Sequence, residues 1–173
     1  MKQTVFKMPM LFLIISLLFL FCGCRKTDNA APPAPFSALS WDAAKDDILS
    51  LEGNNYTTYD SVYGGICYTY PKTYEGYEGT IKYMLDDKER LMCIAWTCPL
   101  ESDEALSTLY QLIRESVTKE NGEASQETDE STNYGNVWRR EEGNIVISSM
   151  TTSSMKVLQY AYLHPDVSNP GHE

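Results

Sequence analysis

Apolar residues along this chain change their period several times, and each change marks an element. In SWDAAKDDILSLEGNN, residues 40–55, Trp41, Ala44, Ile48 and Leu51 recur at helical spacing, with Ser40 or Asp42 as N-cap and Gly53 with Asn54 as the stop. The period then falls to two. Ile66, Tyr68 and Tyr70 share one side of a predicted strand, and Ile81, Tyr83 and Leu85 share one side of the next. The DDKE run at 86–89 supplies a turn, and the nearly continuous apolar run 91–98 suits a central strand. A second helix opens at Ser102 or Asp103 with acids in its first turn. Its stripe is Leu106, Leu109, Ile113 and Val117, with Tyr110 beside it, and Gly122 closes it. EASQETDESTNYG, residues 123–135, is polar and acidic and reads as a loop. Residues 137–163 hold two or three further strands, and HPDVSNPGHE is a tail.

The order is helix, three strands, helix, three strands. Such an order predicts an α+β domain: an antiparallel sheet of five to six strands with both helices on one face and the other face partly solvated.

Before this domain the chain has a different character. Lys2 and Lys7 precede residues 11–21, an apolar run broken only by Ser16. A positively charged start followed by a short apolar core is the pattern of a signal peptide, and the run falls short of the roughly 20 residues of a membrane-spanning helix. Gly23 gives a cleavage site its small residue. Leu20, Phe21, Cys22, Gly23 and Cys24 resemble a bacterial lipobox, with Phe21 at the position that is usually Leu. Cleavage before Cys22 would put bulky Phe21 at the last position, so Cys24 is the expected lipidated residue. Acyl chains there would anchor the protein, each buried methylene contributing about 0.8 kcal/mol. The proline- and alanine-rich stretch after it reads as an extended tether. The expected organisation is a signal peptide at 1–23, lipidated cysteine and tether at 24–38, one domain at 39–165 and a tail at 166–173.

Charge narrows the partners. Cleavage removes Lys2 and Lys7 from 14 basic side chains and none of the 24 acidic ones, leaving a formal net charge of about −12. Nucleic acid is therefore not an expected partner, because its phosphates would be repelled. The domain keeps Cys67, Cys93 and Cys98. They read first as small buried hydrophobes and second as one disulfide with a cysteine to spare.

The C-G-C anchor, the short tether, the helix ending in LSLEG and the segments YGGICYTYP and YMLDDKERLMCIAW together resemble a group of uncharacterised bacterial surface lipoproteins. The helix-plus-strands half is similar to the small lipoproteins of outer-membrane assembly, the SmpA/OmlA (BamE) type. Two such halves in tandem resemble the β-lactamase-inhibitor-protein fold. The resemblance implies a helix-plus-antiparallel-sheet fold and a protein-binding habit, and carries no catalytic residue or cofactor across.

Eight of the 12 tyrosines lie between positions 56 and 83, the strongest local bias in the domain. Tyrosine joins a flat apolar body to a polar tip and suits recognition surfaces. Tyr68, Tyr70 and Tyr83 are in phase with Ile66 and Ile81 and are expected to pack. Tyr56, Tyr59, Tyr63, Tyr74 and Tyr77 fall in connections and are the candidate binding rim. Enzyme signatures are sparse: His164 and His172 stand near the end of the chain, the pairs Asp46–Asp47 and Asp86–Asp87 are adjacent, and there is no nucleophile elbow, metal spacing or phosphate loop. The expectation is a non-enzymatic binding module without cofactor, lipid-anchored on the extracytoplasmic face of a bacterial membrane, with an envelope protein as partner. Capture of a glycan or peptide by the tyrosine-rich surface is the alternative, and a hydrolase the remote one.

Overall fold

The computed structural model describes residues 36, 39–130 and 133–168. The signal peptide, Cys24, the tether up to Pro35 and His172 lie outside the described residues. In chain order the elements are α1 (Lys45–Glu52), β1 (Thr57–Asp60), β2 (Gly64–Tyr74), β3 (Tyr77–Asp86), β4 (Leu91–Leu100), α2 (Asp103–Asn121), β5 (Gln126–Glu130), β6 (Asn133–Trp138), β7 (Asn144–Thr151), β8 (Lys156–Leu163) and α3 (Pro165–Ser168). All eight strands join one open antiparallel sheet in the order β1-β2-β3-β4-β8-β7-β6-β5. Each half is thus a helix followed by a four-strand meander. The last strands of the two halves meet at the centre, where Ala95 pairs with Ala161 and Trp96 with Tyr160.

The fold class is as expected, but the sheet is larger, with eight strands rather than five or six, and a third helix occupies the start of the expected tail. The two strands without an apolar period are β1 and β5, the edges of the sheet. An edge strand lacks one neighbour and is exposed to water, so it has little apolar pattern to display, and charges on it discourage pairing with other chains. Every residue of β1 is exposed. QETDE, expected as loop, pairs with β6 from Gln126 against Val137 to Glu130 against Asn133.

One face of the sheet carries the core. Tyr68, Tyr70, Ile81, Tyr83, Ile94, Trp96, Cys98, Leu158, Tyr160, Ile145, Ile147 and Trp138 form a single cluster with buried side chains of both helices. α2 follows its pattern: Ser102 Oγ accepts from Ala105 N at 3.1 Å, and Leu106, Leu109, Tyr110, Ile113 and Val117 are buried. α1 does not. It begins at Lys45 after Ala44, whose N–H donates to Asp47 Oδ2 at 2.9 Å, so neither Ser40 nor Asp42 is the cap. Ile48 is buried but Leu51 is 46% exposed, because the residue a turn after Ile48 that faces the sheet is Glu52. Glu52 accepts from Tyr83 Oη at 2.6 Å and pairs with Lys72 Nζ at 2.9 Å. Ile66 is also exposed, at 48%, beside the register shift between Gly64 and Cys67.

Buried polar atoms fix the long side chains. Trp96 Nε1 donates to Lys72 O at 2.8 Å, and Trp138 Nε1 to Gly122 O at 2.9 Å. Tyr110 stacks on Tyr134 at 3.9 Å and donates to Asn136 Oδ1 at 2.6 Å. Gly79 in β3 lies under the Trp96 indole, where a β-carbon would come within 2.6 Å of the ring.

Candidate functional site

Alternation along a strand sends every second side chain to the face opposite the helices. On that open face the pairing register lines residues up in rows across the sheet. One row spans all eight strands: Thr57, Thr69, Lys82, Ala95, Ala161, Val146, Val137 and Gln126. The next, toward one end, is Pro71, Thr80, Thr97, Gln159, Ser148, Gly135 and Thr128. On the other side lie Tyr59, Cys67, Met84, Cys93, Leu163 and Asn144. These three rows hold one charged side chain, Lys82, although charged residues make up 22% of the sequence. Beyond them Val157 pairs with Met150, which is 53% exposed.

The floor of this face is made of small residues. Cys93, Ala95 and Ala161 are buried, and the partly buried Tyr63, Met84, Val146 and Leu163 pack around them. None of these belongs to a helix. At about 4.8 Å between strands and about 3.3 Å per residue, the three rows cover on the order of 35 Å by 20 Å, close to the roughly 800 Å² that one partner buries in a standard interface. Lys82 is half-buried in β3 and makes no ion pair among the described residues.

The five candidate tyrosines divide between the two faces. Tyr56 packs against Tyr68 at 5.4 Å and Tyr70 at 5.9 Å, Tyr74 against Trp96 at 5.5 Å, and Tyr77 against the same core. Tyr59 and Tyr63 stand on the open face. Tyr59 stands directly across from Cys67 on the neighbouring strand, and Tyr63 packs against the cluster that holds Cys93. Burial, reinforced by the Cys93 thiol, pushes the Tyr63 hydroxyl up to about 12. Tyr59, Tyr63 and Tyr74 therefore do not line a common cleft.

Cys67 and Cys93 flank Met84 in one row, two strand spacings or about 9.6 Å apart. A disulfide requires α-carbons within about 7 Å, so these two are not bridged. Cys98 points to the helix face, with its thiol 3.4 Å from Glu78 O. All three are free and buried. Burial raises every one of the thiols, Cys93 to about 12, and the Lys82 charge only partly offsets this for Cys67 and Cys93. Buried, protonated thiols are poor nucleophiles.

A cavity of about 240 Å³ opens where β1 begins, lined by Asn55, Tyr56, Thr57, Thr69, Tyr70, Pro71 and Thr80. Its polar side chains are uncharged. Elsewhere, Asp86 serves the β3–β4 turn: Oδ1 accepts from the N–H groups of Lys88 and Arg90, both at 2.9 Å, and Oδ2 from Arg90 Nε at 2.8 Å. Burial alone would raise this carboxyl, but the Arg90 and Lys88 bonds outweigh it and hold it below the ordinary carboxylate range. His164 is held below its ordinary value by burial, and its Nδ1 accepts from Asp166 N at 3.0 Å. Among the described residues no three His, Cys, Asp or Glu side chains gather as a metal site. No protein family, curated protein or solved structure matches this chain.

A partly solvated second face is expected from the sequence, but the residues that make it up are not identified there, and the candidate rim falls on the tyrosines instead. Its signal was present in the off-phase positions of each strand: Lys82 and Met84, Cys93, Ala95 and Thr97, Val146 and Ser148, Gln159 and Ala161.

Proposed function

We propose that this chain is an extracytoplasmic lipoprotein, attached to a bacterial membrane through Cys24, that binds an envelope protein with the open face of its sheet. The observation that carries the reading is the near absence of charge from three adjacent rows on the helix-free face of the sheet in a strongly acidic protein. Depletion of charge at the centre is what separates interface cores from ordinary surface, and a sheet face kept only for solubility would carry alternating charged side chains. The signal peptide and lipobox supply the address, and the tether sets the domain off from the lipid. The resemblance to assembly lipoproteins and to an inhibitor fold agrees with this habit of binding.

The test is crosslinking in host cells followed by affinity capture, comparing the native protein with Cys24→Ser. A defined protein recovered with the anchored form only, together with release of the Cys24→Ser form from membranes, is the expected result. Membrane retention of the variant would overturn the anchor, and equal recovery of the partner with both forms would make the anchor irrelevant to binding.

The cavity at the start of β1 favours a second reading, capture of a small uncharged ligand such as a glycan. Its hydroxyl- and amide-bearing lining suits a neutral polar molecule. Glycan binding abolished by Asn55→Ala and Thr80→Val, with the open face otherwise intact, would transfer the function there.

A further inference from the structure

Lys82 stands in the long row of the open face with Thr69 and Ala95 directly beside it on the neighbouring strands, and Thr80 and Met84 two positions away along β3. All four neighbours are uncharged. Among the described residues its ammonium group enters no ion pair, although the chain holds many more acids than bases. The acids along the same strand and face are the exposed Glu78 and the buried Asp86, each four residues or about 13 Å away, and Asp86 is already paired with Arg90 at 2.8 Å. A lysine so placed is solvated through its tip while the face is bare. Docking would remove that water and leave a charge buried against small neutral residues, which opposes binding unless the incoming surface supplies a counter-charge.

Resting on the reading of this face as the docking surface, we propose that Lys82 is the specificity determinant of the interface, and that the partner presents an extended segment or loop with one Asp or Glu among uncharged residues. The carboxylate meets Lys82. The flanking residues lie over Ala95, Ala161, Thr97 and Ser148, where small side chains let a backbone approach closely. A second acid is disfavoured, because Lys82 is the one cation in the three rows and the surrounding protein is strongly negative. This geometry rejects partners by charge as well as admitting them: a partner with a basic or wholly neutral centre would strand Lys82.

The probe is a displayed library of random peptides selected on the full mature chain. Recovered peptides are measured against the wild type, Lys82→Met, Lys82→Arg and Ser148→Trp, with thermal denaturation showing that each variant is folded. The expected peptides carry a single acidic residue. They lose about thirtyfold or more of their affinity with Lys82→Met, are largely restored by Lys82→Arg, and weaken as salt is raised. They also fail on Ser148→Trp, whose bulky ring blocks the face. Peptides that fail on Ser148→Trp yet ignore Lys82→Met, or that lack an acid, overturn the role of Lys82 and leave the docking face standing. Peptides indifferent to both substitutions, or no peptides at all, overturn the docking face and the proposal together.

Discussion

At the scale of single residues, what matters is which face a side chain takes. Tyr59 and Tyr74 both come from the tyrosine-rich stretch, yet one meets Cys67 on the open face and the other packs against Trp96 in the core. Substitution should separate them. Tyr74→Ala is expected to cost about 3 kcal/mol or more of unfolding free energy, as truncation of packed aromatics does, and Tyr59→Ala well under half of that; chemical denaturation of both variants is the check. Thiol chemistry gives a second prediction. In the native state Cys67, Cys93 and Cys98 should resist an alkylating reagent, because they are buried and their thiols are held protonated. If Cys24 carries a lipid as proposed, the mature protein should titrate these three thiols and no more after denaturation. A fourth reactive thiol would contradict the anchor. Asp86 gives a third. Its carboxyl is depressed in the folded state, so its contribution to stability is present above the ordinary carboxylate value of about 4 and is lost as pH falls through the lower folded value. Asp86→Asn should therefore lower the melting temperature at neutral pH, and the gap to wild type should narrow as the buffer is acidified below about pH 4. A constant gap would show that the turn geometry, and not the ionised carboxylate, is responsible.

At the scale of elements, α2 and the strands β2, β3 and β4 were legible because burial on one side writes a period into the sequence. Leu106, Leu109, Ile113 and Val117 are all buried, as their spacing requires. β1 and β5 were not legible, since an edge strand needs only backbone partners and its side chains stay in water. α1 was half legible: Ile48 is in place, but the inward residue a turn later is Glu52, whose partners Lys72 and Tyr83 lie 20 and 31 residues away, where no local pattern reveals them. The open face was expected, but its composition was missed for a related reason. Its residues are small and uncharged rather than strongly apolar, and their common feature emerges only once the register stacks them in rows. Two substitutions test the packing of elements. Ser102→Ala removes the cap of α2 and should cost about 1 kcal/mol. Gly79→Ala forces a methyl group into the Trp96 ring and should cost about 1–3 kcal/mol despite the gain of a side chain in a strand. Both are measured by denaturant unfolding, and a neutral Gly79→Ala would mean that the indole does not hold its place over β3.

At the scale of the whole molecule, the sheet separates two tasks. One face is covered by two helices and holds the large aromatic and aliphatic core, while the other holds only a small cluster around Cys93, Ala95 and Ala161. The open face can then be small, neutral and unencumbered across the seam between the two halves. An anchor and tether before the domain would present that face to the envelope without burying it in lipid. This division is the central claim, and the most direct test of it is site-specific photo-crosslinking in host cells. A photoreactive residue is placed at Ser148 on the open face or at Glu115 on the exposed side of α2, and both proteins are compared for expression and membrane attachment. The account predicts a discrete crosslinked protein from position 148 and none from position 115. Crosslinks from position 115 with none from 148 would contradict it, and would move the working surface of this protein to its helices.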